Sequence, residues 1–324
     1  MADADRRELE GVVLDDRFRL GRVLGIGGTS VVFEAQDLRS SSPVVVKVLR
    51  NMFAFNVELI RRMRREAEVA RRVAHPGIVP VFEDGMLDDG SPYLVLERLD
   101  GECCARRLRR LGPMEPRHVA AIALRAAAIL HAAHGRGYVH RDMKPEHIVL
   151  SSTSDGRLDV RILDFGVCAS DRAPEAEKKA ERGRVYGTPA YVSPEQARGK
   201  PDVDARADIF SLGTTMFEMI AGRVPFVGSN VANLLRRIIR EDPPRLGLLL
   251  PDLDLRYDAV VVRAMARAPE ERFTSARSFA RALLPLVGDR RETEREIAAT
   301  VQHRPQRQDL MPTVRGDLTR LAVA

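Results

Sequence analysis

Two regimes of hydrophobic patterning divide the chain. From Phe18 to about Glu97, short runs of β-branched residues are cut by turn signals. Phe18–Leu24 and Val31–Phe33 read as strands around the turn Gly25-Ile-Gly27-Gly28-Thr29-Ser30. Pro43 precedes a third run, Val44-Val45-Val46-Lys47-Val48, and two more strands flank the hairpin signal Asp88-Asp89-Gly90-Ser91. One charged helix is expected over about 57–73. Beyond Gly101 the period becomes helical: 116–134 is Ala-rich, 208–221 is apolar, and 230–241, 256–267 and 275–287 are amphipathic. The pattern predicts an α+β, two-lobed protein, with a small β-rich N-lobe carrying one main helix and a larger helical C-lobe. No internal repeat is visible.

The last stretch, 288–324, mixes both charges with Pro, Gln and Thr and lacks sustained periodicity, as flexible segments do. Its Thr293, Thr300, Thr313 and Thr319 are read as accessible hydroxyls. No apolar run approaches the roughly 20 residues that span a bilayer. The acidic start, Met1 to Asp16, lacks the basic-then-apolar order of a signal peptide, so a cytoplasmic location is expected.

The net charge of +6 raises nucleic acid as a partner. Arginines cluster at Arg61-Arg62-Met63-Arg64-Arg65, Arg71-Arg72 and Arg106-Arg107-Leu108-Arg109-Arg110. Yet Glu58, Glu66 and Glu68 interleave the first cluster as on a solvated helix face, Trp is absent and aromatics are few. No nucleic acid is expected. Three cysteines, Cys103, Cys104 and Cys168, make neither a disulfide framework nor a zinc spacing, and Cys168 reads as a small core residue. His131 and His134 stand three apart on a helix with no third metal ligand placed near them.

The chemistry lies in an ordered series of motifs. Gly25-Ile-Gly27-Gly28-Thr29-Ser30-Val31-Val32 approximates G-x-G-x-x-G-x-V, a loop whose backbone can approach phosphates closely. Ser30 stands at the third Gly, where it is expected to stiffen or crowd the loop tip. Lys47 ends the valine run, and Arg65-Glu66-Ala67-Glu68 offers an ion-pair partner, Glu66 in preference to Glu68. Then come His140-Arg141-Asp142-Met143-Lys144-Pro145-Glu146-His147, Asp164-Phe165-Gly166, Gly187-Thr188-Pro189, Ser193-Pro194-Glu195, Asp208-Ile-Phe-Ser-Leu-Gly213 and Glu271-Arg272-Phe273.

In this order and spacing the motifs, over roughly 17–286, resemble those of eukaryotic-type Ser/Thr protein kinases of the bacterial kind. The resemblance implies an extension at 1–16, a kinase domain at 17–286 (N-lobe 17–95, hinge 96–99, C-lobe 100–286) and a flexible tail at 287–324. It implies ATP with Mg2+ or Mn2+ as cofactors and Ser/Thr hydroxyls of proteins as acceptors. Asp142 would receive the hydroxyl proton, Lys144 and Lys47 would neutralise phosphate charge, Glu66 would hold Lys47, and Asp164 would bind the metal. Gly25, Gly27, Gly28, Ser30, Val32, Val45, Leu96, Glu97, Leu99 and Val149 would line the nucleotide site, with Leu96 as gatekeeper. Val45 and Val149 replace the usual Ala and Leu on the two sides of the adenine, a swap that keeps the pocket near its normal volume. Arg272 would pair with Glu195.

One letter departs. His147 occupies the position of a metal-binding Asn, and imidazole suits Mn better than Mg. Slow transfer with Mg and relatively better transfer with Mn is the expectation; an ATP-binding pseudokinase that serves as a scaffold or switch is the alternative. Arg141 normally meets an activation-segment phosphate, but no Ser or Thr lies between Ser170 and Tyr186, so Glu175, Glu177 or Glu181 is expected to stand in. The oligomeric state, a homodimer included, stays open.

Overall fold

The computed structural model describes residues 7–170 and 183–302. Its N-lobe is an antiparallel sheet in the order β1-β2-β3-β4-β6-β5: β1 Val13–Leu14, β2 Phe18–Ile26, β3 Ser30–Asp37, β4 Pro43–Leu49, β5 Val81–Met86 and β6 Pro92–Glu97. Its register sets Val32 opposite both Gly25 and Lys47, and Val45 opposite Leu96. Part of the leading segment expected at 1–16 belongs to this sheet: Leu14 pairs with Phe18 and is buried. Gly90 turns the β5–β6 hairpin at φ +79°, where a side chain would be strained.

Helix α1, Val57–Val73, packs behind the sheet. Asn56 caps it by accepting from the Leu59 amide, Glu58 sits in its first turn and Arg71 and Arg72 in its last, matching the helix dipole. Its Met63 and Ala67 meet Leu49, Val81 and Leu94 from the sheet.

The C-lobe begins with β7, Gly101–Cys103, and α2, Cys104–Leu111. Helix α3, Pro116–His134, is buried on nearly every side. Its alanines allow close approach by α4, Arg206–Ala221, and the later helix Ala276–Leu283. A short strand β8, Tyr138–Val139, follows α3, and β9, Ile148–Ser152, and β10, Leu158–Ile162, form a small sheet in the order β10-β9-β7. Gly101 is required there, because a Cβ would stand 2.1 Å from the Leu150 carbonyl oxygen. The rest of the lobe holds β11, Ala169–Ser170, α5, Val231–Arg240, α6, Leu255–Ala264, α7, Ala276–Leu283, and α8, Arg290–Ala299. No helix among the described residues is long and apolar enough to cross a membrane.

Helix α8 departs from the flexible tail expected from 287 onward. Asp289 caps it by accepting from the Arg291 and Glu292 amides. Ile297 and Ala298 are buried, and Thr293 donates from the interior to the Val287 carbonyl instead of offering an accessible hydroxyl. Only a few apolar positions carry this docking, with Glu294 held by Arg125 and Arg290, so the pattern was too sparse to read as periodic. Thr313 and Thr319 lie outside the described residues.

Candidate active site

The cleft between the lobes collects side chains from β4, α1, the loop after β8 and the loop after β10. Lys47 on β4 donates to Glu66 on α1 at 2.7 Å, and its ammonium stands 3.8 Å from Asp164. Burial alone would favour the neutral amine, but the Asp164 and Glu66 carboxylates overcome it and raise the Lys47 pKa. Glu68 instead accepts from the Tyr138 hydroxyl.

The 140–147 loop is anchored by α4. Asp208, fully buried, accepts from the His140 and Arg141 amides, each at 2.8 Å, and pairs with His134 Nε2 at 2.7 Å. That contact accounts for His134 without a metal. Burial works against the Asp208 carboxylate, and the His134 bond and backbone donors outweigh it, so its pKa lies below the usual value.

Within the loop, Asp142 Oδ2 accepts from Lys144 Nζ at 2.9 Å, while Oδ1 accepts from the Thr188 amide at 2.7 Å and the Thr188 hydroxyl at 2.8 Å. Lys144 also donates to Thr188 Oγ1 at 2.6 Å. Despite burial, the Lys144 ammonium and the bond from the Thr188 hydroxyl hold the Asp142 carboxyl below its ordinary pKa. A carboxylate thus receives a hydroxyl hydrogen beside an ammonium group, the arrangement a proton acceptor in hydroxyl chemistry needs.

His147 faces two ways. Its Nδ1 lies 2.8 Å from the Asp142 carbonyl oxygen, which can only accept, so Nδ1 carries the hydrogen. Burial, with Lys144 nearby, lowers the imidazole pKa to about 3, leaving the ring neutral. Nε2 therefore presents a lone pair. It is buried without a hydrogen-bond partner and stands 3.8 Å from Asp164 Oδ2. Asp164, at φ +60°, keeps 30% of its side chain exposed to the cleft against 2% for His147. A buried lone pair beside a cleft-facing carboxylate fits a divalent cation, and nitrogen suits Mn or Zn better than Mg.

Two apolar walls flank the cleft. Leu24, Val32 and Val45 form one cluster; Cys103, Ala105 and Val149, with Leu99 and Leu163 against them, form the other. Leu96 packs on the cluster of Met63, Val81 and Leu94, and the Glu97 carboxylate pairs with Arg161 at 3.2 Å. Gly25 lies one residue before the end of β2, opposite Val32, and Gly27 donates to the Ser30 carbonyl at 2.8 Å, closing the turn that contains Gly28. Ser30 is not at the loop tip, as the sequence suggested. It opens β3, pairs with Leu49 and is buried, so it crowds nothing that approaches the turn.

The C-lobe restraint is also in place. Arg272 grips Glu195 through two hydrogen bonds of 2.7 and 2.8 Å, both residues buried. Cys168 is buried, its thiol pushed up to about 12 by desolvation, which accords with a core role. All three cysteines are free thiols.

A sequence model described as the protein kinase domain matches residues 18–303. The chain belongs to the protein kinase family. It is 38% identical over 266 residues to the serine/threonine-protein kinase PknB of Mycobacterium tuberculosis, a match covering 81% of this chain and 42% of that protein. It is equally 38% identical to a probable serine/threonine-protein kinase of Corynebacterium efficiens, over 83% of this chain and 41% of the relative. The chain thus spans about four-tenths of the length of these curated relatives. Among solved structures, the Mycobacterium tuberculosis PknI kinase domain superposes with a TM-score of 0.65 at 32% identity, covering 86% of this chain and 98% of that one. These relatives place the chain with the bacterial Hanks-type serine/threonine kinases, and the two-lobed α+β fold is theirs.

Two features of this kinase were not anticipated from sequence. Thr188 stood in the Gly187-Thr188-Pro189 motif, but its contact with both Asp142 and Lys144 needed the fold of the segment. Tyr186 was passed over, yet the guanidinium groups of Arg62 and Arg141 lie 5.5 and 5.7 Å from its ring centre. Glu175, Glu177 and Glu181, expected to stand in for a phosphate, lie outside the described residues.

Proposed function

We propose that this chain transfers the γ-phosphoryl group of ATP to serine or threonine hydroxyls of cytoplasmic proteins. The observation that carries the reading is the Asp142 carboxylate receiving the Thr188 hydroxyl hydrogen beside Lys144. A substrate hydroxyl seated in that way loses its proton to Asp142 as its oxygen attacks, while Lys144 and Lys47 neutralise phosphate charge. The clusters around Val45 and Val149 offer apolar faces for an adenine ring, and Leu96, Glu97 and Leu99 form the strip between the lobes. Asp164 and His147 would hold the divalent cation, which when bound neutralises charge on the transferring phosphate.

The test is transfer from γ-labelled ATP to a generic basic protein, in Mg and in Mn, with Asp142→Asn as control. Transfer that disappears in the control is the expected result. A nucleotide-binding scaffold is the second reading, favoured by His147 alone; ATP binding with no transfer in either metal would establish it over the first.

A further inference from the structure

A second set of metal-ligating side chains, none of them part of the cleft, joins the start of α3 to α8. Glu115 directly precedes α3, His118 lies in the first turn of that helix, and Glu296 is on α8. His118 Nε2 stands 2.8 Å from Glu296 Oε2 and 3.5 Å from Glu115 Oε2. One imidazole nitrogen and two carboxylate oxygens thus converge, all within 4.8 Å of one another. Tetrahedral ligands at zinc-bond distance stand about 3.4 Å apart. The His118–Glu115 separation already has that value, and the His118–Glu296 pair has to open by only about half an ångström.

Arg117 now bridges the two carboxylates, through Nε to Glu115 at 2.8 Å and through Nη2 to Glu296 at 2.9 Å. Its side chain is 40% exposed, so water and salt weaken both contacts and leave the guanidinium free to swing out. A carboxylate oxygen can only accept, so His118 Nε2 carries the hydrogen in the contact with Glu296. One exposed guanidinium charge therefore answers two carboxylates when the ring is neutral, whereas a divalent ion would match them. The N-terminus of α3 opposes a cation with about +0.5 of partial charge, which two full negative charges outweigh.

We propose that Glu115, His118 and Glu296 form a site for a divalent transition-metal ion of the zinc type, and that the ion ties α8 to α3. The imidazole nitrogen favours zinc over magnesium, which asks for oxygen ligands in octahedral array. Three protein ligands leave the fourth position to water. When the ion enters, Arg117 leaves the carboxylates and the His118 ring carries its hydrogen on Nδ1, freeing the Nε2 lone pair. Ile297, the neighbour of Glu296, is fully buried under α8. The third ligand is therefore in reach only while α8 is docked, and binding must hold that helix in place. The site is independent of phosphate transfer and of the cation held by Asp164 and His147.

The experiment titrates the full chain with Zn2+ by calorimetry in the presence of Mg2+. A His118→Gln/Glu296→Gln variant should bind one ion fewer than the parent, while an Asp164→Asn/His147→Asn variant keeps that ion. Arg117→Gln, which removes the competing guanidinium, should bind it more tightly than the parent does. An ion count unchanged by His118→Gln/Glu296→Gln, or an Arg117→Gln variant that binds more weakly, overturns the site. The tie is read by hydrogen exchange of the α8 amides. With Zn2+ at about 100 times its Kd, their exchange should slow by about 100-fold, and the His118→Gln/Glu296→Gln variant should show no such slowing. Exchange in α8 that Zn2+ leaves unchanged, or slows equally in that variant, overturns the tie.

Discussion

The His147 ring donates through Nδ1 to the Asp142 carbonyl oxygen at 2.8 Å and turns the lone pair of Nε2 toward Asp164. An asparagine amide in its place could supply both a donor and a metal-binding oxygen. His147→Asn should therefore keep the loop folded and raise transfer in Mg by about 10-fold, the low end of what a tuned metal ligand is worth. It should also lower the ratio of Mn- to Mg-supported transfer. Steady-state rates of both proteins in both metals check this; an Asn variant no faster in Mg would remove His147 from the metal site.

Arg272 holds Glu195 in a buried two-bond pair. Arg272→Ala leaves that carboxylate buried without its partner, and a loss of about 3–5 kcal/mol is expected. Urea unfolding of the variant beside Glu195→Gln measures it. The pair lies away from the cleft, so nucleotide affinity in the fraction that stays folded should change little.

Ile297 fills the interface beneath α8 with no exposed surface. Ile297→Ala should destabilise the chain by about 2–5 kcal/mol, measured as a shift in the urea midpoint. A shift near zero would mean that α8 does not dock as described, and that the kinase fold ends near residue 286 after all.

Asp208 gives the fold an acid limit. Its carboxyl pKa is lower folded than unfolded, so its contribution is present above the unfolded value of about 4 and is lost as pH falls through the folded one. Asp208→Asn should cost about 2–4 kcal/mol at neutral pH, because the buried amides of His140 and Arg141 lose a charged acceptor. The variant's stability should fall less steeply on acidification than the parent's. Parallel acid limbs in the two proteins would assign the acid sensitivity elsewhere.

Lys47, Asp142, Asp164 and Arg272 were legible before any fold was known, because the ordered motifs that hold them resemble those of protein kinases, and the resemblance implies their roles. The helices at 57–73 and 116–134 were legible because a buried face imposes a 3.6-residue period. Local sequence thus determined the motif order, the two-lobed α+β design and most of the side chains gathered in the cleft. Contacts between distant segments could not be read this way. Ser30 became a buried strand residue through pairing with Leu49, and Thr188 reached Asp142 across 46 positions of chain. Likewise, α8 docks on a few apolar side chains and on ion pairs whose partners lie on α3. Such pairings carry no periodic signal, because each depends on where the rest of the chain puts the second residue. Only the tertiary structure decided them.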